Sequence, residues 1–190
     1  VIREADVSRT SAYRRWPHKD LFFSDLVLEL ARDPVPGIVA DEMDLIRRII
    51  GGQLDRLADP RARQSVILEL FRQLPVLDFR ALSASPGWRT YLALHATVLS
   101  MADGGLRDQV RAALAQAEQA HLARVARAWT LMAHLLGVRL RPEAGVSFET
   151  LAQLVNATMQ GLVMTALTVP GIAAFRTTAR PFGAPEAGEW

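Results

Sequence analysis

Apolar residues recur at three- and four-residue spacing along almost the whole chain, and no stretch sustains the alternation of a half-buried strand. Asp20–Arg32 places Leu21, Phe22, Leu26 and Leu30 on one face of a helix. Asp33-Pro34-Val35-Pro36-Gly37 then breaks the period and marks the clearest boundary. Asp41–Leu57 resumes it with Met43, Ile46, Ile50, Leu54 and Leu57. Asp59-Pro60 is a cap followed by proline at the first helical position, and the helix it opens carries Val66, Ile67, Leu70, Phe71 and Leu74. Pro75 is predicted to end that helix. Ser85-Pro86 repeats the start signal for Gly87–Ala102, which stops at Asp103-Gly104-Gly105. A long helix over Leu106–Leu136 ends at Gly137. Ser147 caps the last strong helix, Phe148–Val169, with Glu149 placed for the helix dipole. The tail after Arg176 is rich in proline and glycine and is expected to be loosely held. The pattern is all-α.

One short helix differs from these amphipathic rods. In Val7–Leu21 (VSRTSAYRRWPHKDL), Ser8 is a strong N-cap whose hydroxyl can accept the amide of Thr10 or Ser11. Ala12 and Trp16 lie four apart on a side that packs inward. Thr10 and Arg14 fall opposite, with Ser11 close by, and can reach base edges in a DNA groove. Arg9, Tyr13 and Arg15 lie on the flanks, where they reach phosphates, and Lys19 sits in the first turn of the next helix. Upstream, Val1–Val7 looks like a helix end and a tight turn, with Ile2, Ala5 and Val7 packing on Ala12 and Trp16.

Composition adds two bounds. The formal net charge is only +2, so no global basic field announces nucleic acid, and the arginines of the first helix are a local footprint instead. The chain has no cysteine, which excludes disulfides and thiolate metal sites and fits a reducing cytoplasm.

Ala5, Val7 and Ser8, followed by Tyr13, Trp16 and Lys19, resemble the helix-turn-helix of the TetR (tetracycline repressor) family of bacterial regulators. The family pattern is A-G-V-S-x-x-x-x-Y-x-x-F-x-x-K-x-x-L. Here Trp16 replaces phenylalanine, Phe22 stands at the final leucine, Asp6 replaces glycine and His18 stands where serine is frequent. Aspartate tolerates a left-handed turn better than most residues, so Asp6 is compatible with the turn. The resemblance covers roughly Val1–Leu30. It implies a further helix upstream of Val1 that completes a three-helix head, and without that helix the chain is expected to bind DNA poorly.

Thr150–Phe175 contains no charged residue, a length in the membrane-spanning range. Gln153, Asn156 and Gln160 would then lie in hydrocarbon, where amides are costly, so a buried helix of a dimer is the expected reading. Ala157, Gly161 and Thr165 are spaced by four and allow close helix approach, with Leu154, Thr158 and Leu162 beside them. These six residues are the expected homodimer interface, the alternative being internal core.

On Gly87–Ala102, Trp88, Tyr91 and His95 share one stripe. Aromatic groups with polar tips suit a cavity wall, which Phe71, Met101, Trp129 and Met132 could complete; the alternative is ordinary core. Enzyme chemistry is not supported. There is no glycine-rich phosphate loop, the four histidines show no metal-ligand spacing, and no catalytic residues, metal or cofactor are expected.

The expected organisation is a helix-turn-helix head with a connecting helix over 1–32, truncated at its N-terminus, and a ligand-binding and dimerisation bundle over 33–190. The expected function is a cytoplasmic, ligand-responsive repressor that binds a pseudo-palindromic double-stranded DNA operator as a homodimer, outside the membrane, with an unidentified small-molecule effector. The alternative is a helical small-molecule sensor that does not use DNA.

Overall fold

The structure is a computed structural model that describes residues 8–32, 39–52, 55, 57–174, 178–179 and 188–189; side chains are described for these except 39–43, 173, 178–179 and 188–189. Among the described residues eight α-helices follow one another: α1 Arg9–Arg15, α2 Lys19–Arg32, α3 Val39–Gly51, α4 Pro60–Ala84, α5 Pro86–Ser100, α6 Gly105–Leu135, α7 Phe148–Thr168 and the short α8 Gly171–Ala174. The caps follow the local chemistry of the sequence. The Ser8, Asp59, Ser85 and Ser147 side chains each accept first-turn amides, and Pro60 and Pro86 open their helices where no amide is needed. The Glu149 carboxyl is held below the usual carboxylate range, chiefly by its hydrogen bond with Ser147.

α6 ends in a hydrogen-bonded C-cap. Gly137 adopts φ +62°, its N–H donates to the His134 carbonyl, and the Val138 N–H donates to the Ala133 carbonyl at 2.9 Å. Only glycine takes that backbone without strain, and an added Cβ would also meet the Arg63 guanidinium at 3.0 Å.

α6 is the spine of the bundle. It packs against α7, α2 and α5, while α4 packs on α3, α7 and α5. The larger core joins Ala31 of α2, Trp88, Tyr91 and Leu94 of α5, Val110 and Leu114 of α6, and Met159 and Val163 of α7. A second, smaller core joins Ile50 of α3, Val66 and Leu70 of α4, and Leu136. Ala31 is fully buried, so the helix that follows α1 is wedged into the body at its far end.

Several expectations are corrected. Pro75 does not end its helix: α4 runs through it to Ala84. One ladder hydrogen bond is lost there, but Phe79 and Leu82 beyond it pack on the larger core, which favours continuing the helix. In α2 the inward residues are Val27, Leu28, Leu30 and Ala31, whereas Leu21 and Leu26 are exposed, at 49% and 39%. α3 stops at Gly51, ahead of Leu57, and buries Leu45 and Ile50. Among the described residues of the tail Thr178–Ala179 pairs antiparallel with Glu189–Gly188, a short departure from the expected all-α pattern. Val1–Val7, Asp33–Gly37 and Leu54, and the Met43 side chain, for which the sequence gives expectations, lie outside the described residues. Among the described residues no helix is long and apolar enough to cross a membrane.

Candidate nucleic-acid interface

α1 is seven residues long and buries none of them. The Ser11 N–H donates to Ser8 Oγ at 3.1 Å, which satisfies one orphan amide and fixes where the helix starts. Arg9, Thr10, Ser11, Tyr13, Arg14 and Arg15 are exposed, as is Lys19, while Ala12 and Trp16 are half-buried. The two-sidedness expected from the helical period is therefore present. Hydroxyls and guanidinium groups point outward, and the alanine and tryptophan point toward the rest of the molecule. α1 contains no acidic residue, and among the described residues no carboxylate forms an ion pair with Arg9, Arg14, Arg15 or Lys19.

Trp16 fastens α1 to α2. Its backbone N–H donates to the Ala12 carbonyl at 2.8 Å and closes the helix. Its indole N–H donates to Asp25 Oδ2 at 2.9 Å, and its ring meets Phe22 edge-on at 5.2 Å. The Arg15 guanidinium lies over the same indole, 5.2 Å from the ring centre. With Phe22, Leu26 and Glu29 these residues line an open hollow of about 480 Å³ at the α1–α2 elbow. At the start of α2 the Phe22 N–H donates to the His18 carbonyl at 3.4 Å.

The seven residues expected to line a pocket do not come together in one place. Trp88, Tyr91 and His95 do form a continuous aromatic row. Trp88 stacks on Tyr91 at 5.0 Å and Tyr91 meets His95 at 4.5 Å, with Met101 packed on the same core. Met132 belongs to the smaller core, Trp129 is half-buried, and Phe71 points to solvent with 70% of its surface exposed. α4 turns Leu70, not Phe71, into the smaller core, and adjacent residues on a helix differ by about 100°.

The row has polar partners that sequence reading did not select. The Tyr91 hydroxyl donates to Glu118 Oε2 on α6. The Asn156 and Gln160 amides of α7 both donate to Glu118 Oε1, the latter at 3.4 Å. Burial first, and then the bond to Glu118, push the Tyr91 phenol above its ordinary range. Trp88 Nε1 and His95 Nε2 of the same row are buried without a hydrogen-bond partner among the described residues. A signal for Glu118 does exist in the sequence. It continues the i, i+4 ladder of Val110 and Leu114, so a carboxylate falls on a buried stripe.

On α7, Ala152, Met159 and Val163 face inward. Leu154, Ala157, Thr158, Gly161, Leu162 and Thr165 are all exposed on the opposite face, with Leu154 at 58% and Leu162 at 43%. Leu131 and Leu135 of α6 are exposed as well. A Cβ added at Gly161 would meet nothing within 4 Å in this subunit. Among the described residues no group of His, Asp and Glu is arranged to hold a metal ion. Compared with family models, with curated proteins and with solved structures, the chain matches none.

Proposed function

We propose that the chain is a ligand-responsive, DNA-binding transcription regulator similar to the TetR family, acting as a homodimer in the cytoplasm on a pseudo-palindromic operator. The observation that carries the reading is the outward face of α1: Thr10, Ser11 and Arg14 exposed together, flanked by Arg9, Tyr13, Arg15 and Lys19. In this reading Arg14 makes a bidentate contact to a guanine edge and the two hydroxyls contact neighbouring bases. The flanking arginines, the phenol and Lys19 hold phosphates, which sets register without reading sequence. No reacting group is assigned, and the chain acts as a binder and not as a catalyst.

The exposed apolar face of α7, with Gly161 at its centre, supports a two-fold partner. Symmetric dimers present two heads about 34 Å apart, one turn of the duplex. α2 carries the signal, since Trp16 and Asp25 tie its start to α1 and Ala31 buries its end in the ligand-binding body. An effector that favours the released arrangement by a few kcal/mol moves α2 and spoils the half-site spacing.

The test is selection of duplexes from a random pool by the full-length protein. Enrichment of a pseudo-palindrome with half-sites about one helical turn apart is expected. No enrichment, or a single unrepeated half-site, contradicts the reading. One observation favours a second reading, a helical small-molecule binder that does not use DNA: the half-buried Glu118 carboxylate gathers donors from two other helices, α5 and α7.

A further inference from the structure

The cations on the outward side of α1 are not held alike. The Arg15 guanidinium lies over the Trp16 indole. Among the described residues Arg9, Arg14 and Lys19 lie over no ring and form no ion pair. The indole is itself fixed twice by α2, through the Asp25 carboxylate at its N–H and through the Phe22 ring. Asp25, Trp16 and Arg15 therefore form one relay from α2 to the flank of α1, and all three line the hollow at the elbow.

We propose that Asp25 is a positioning residue for phosphate binding: through the Trp16 indole it holds Arg15 as a fixed clamp for one DNA phosphate. This role rests on the reading of α1 as a DNA-binding helix, and it adds a residue of α2 that acts without touching DNA. Three physical steps support it. A carboxylate that accepts the indole N–H polarises the ring toward higher electron density. Tryptophan attracts cations best of the aromatic rings, and the attraction rises with that density. A guanidinium already resting on a ring loses less side-chain freedom when a phosphate arrives, and its planar fork keeps N–H donors for the phosphate oxygens. Arg15 is exposed, and no carboxylate among the described residues pairs with it, so those donors are available.

Charge alone predicts the opposite sign. Asp25 is an acid close to a surface that meets phosphates, and simple repulsion makes its removal tighten the complex. Positioning makes loss of the acceptor weaken it. Two substitutions separate these effects. Asp25→Asn and Asp25→Ala remove the same charge, but only the asparagine oxygen still accepts the indole N–H.

The experiment measures the affinity of the full-length protein for a duplex of random sequence, where phosphate contacts dominate, with helicity checked by circular dichroism. Asp25→Ala is expected to bind about two- to fivefold more weakly than Asp25→Asn, the size of an exposed cation–ring attraction. In an Arg15→Ala background that gap is expected to close, and Arg15→Ala itself is expected to reduce the salt slope by about one. Should Asp25→Ala fail to fold, Trp16→Phe serves instead: it keeps the ring and the Asp25 charge, removes the N–H, and is expected to weaken binding only while Arg15 is present. Without DNA, the Arg15 δ protons are expected upfield in the NMR spectra of the wild type and Asp25→Asn, shifted by the indole ring, and less so in Asp25→Ala. Asp25→Ala binding as tightly as Asp25→Asn overturns the proposal, as do ordinary Arg15 δ shifts in the wild type. A gap that survives Arg15→Ala also overturns it, since α1 then turns as a whole and Arg15 has no special place. These failures are read in the variants or without DNA, whereas failure of the DNA reading shows as a wild type that binds no duplex, so the two are told apart.

Discussion

The indole N–H of Trp16 and the carboxylate of Asp25 are joined at 2.9 Å across the elbow between α1 and α2. That bond, with the edge-on contact to Phe22, decides where the outward face of a seven-residue helix points. A helix this short does not hold itself in water, so its orientation depends on such attachments.

Trp16→Phe keeps an aromatic ring against Phe22 and removes the donor. The expected loss is about 1–2 kcal/mol of unfolding free energy, since one hydrogen bond to a charged acceptor is removed at a partly exposed site. Denaturant titration checks it. A loss above about 4 kcal/mol would mean that the residue is a core element and not a fastener.

Tyr91→Phe tests the Glu118 cluster. Removing the hydroxyl leaves the carboxylate with its two amide donors and is expected to cost about 1–3 kcal/mol near neutral pH. The pH dependence has a definite sign. The folded phenol ionises above its unfolded value, so its contribution is complete below about pH 10 and is lost as pH rises beyond that, where the unfolded state sheds a proton that the folded state keeps. The difference in stability between wild type and Tyr91→Phe should therefore shrink above pH 10, by up to about 1.4 kcal/mol per pH unit. A difference that stays flat to pH 11 would show that the hydroxyl is not held by Glu118.

Gly137→Ala is expected to destabilise by about 1 kcal/mol through its left-handed backbone alone. The approach of Arg63 adds to this unless the guanidinium swings aside. A thermal melt with no fall in the midpoint would contradict the C-cap described for α6.

Leu162→Glu places a charge at the centre of the exposed α7 face, where it meets no core of its own subunit. In the proposed dimer, two copies of that charge oppose each other across the two-fold axis. Sedimentation analysis is expected to show a folded monomer with unchanged helicity. A variant that sediments as the wild type does would place the dimer contact elsewhere.

Local chemistry was legible in the sequence where it acts within a few residues. Ser8, Asp59, Ser85 and Ser147 cap as their types suggest, because a cap acts within three residues. Pro75 misled because a local stop signal competes with the packing of Phe79 and Leu82, which only tertiary structure reveals. Leu21 and Phe71 misled because each has an apolar neighbour, Phe22 and Leu70, and the period cannot choose between adjacent apolar residues. Glu118 lies on the buried stripe of α6, but the cluster it anchors was not legible, for a different reason. Its members come from α5, α6 and α7, and nothing local states that Tyr91, Glu118 and Asn156 meet at one height in the bundle.

The face of α1 is tested most directly by measuring affinity against salt for the full-length protein on its selected duplex and on a scrambled one. Lys19→Ala is expected to weaken both complexes alike and to reduce the slope of log affinity against log salt by about one. Arg14→Ala is expected to cost about 1–3 kcal/mol on the selected duplex and far less on the scrambled one. Equal losses on both duplexes for the two variants, or a wild type that does not distinguish the duplexes at all, would contradict the claim that this helix reads DNA.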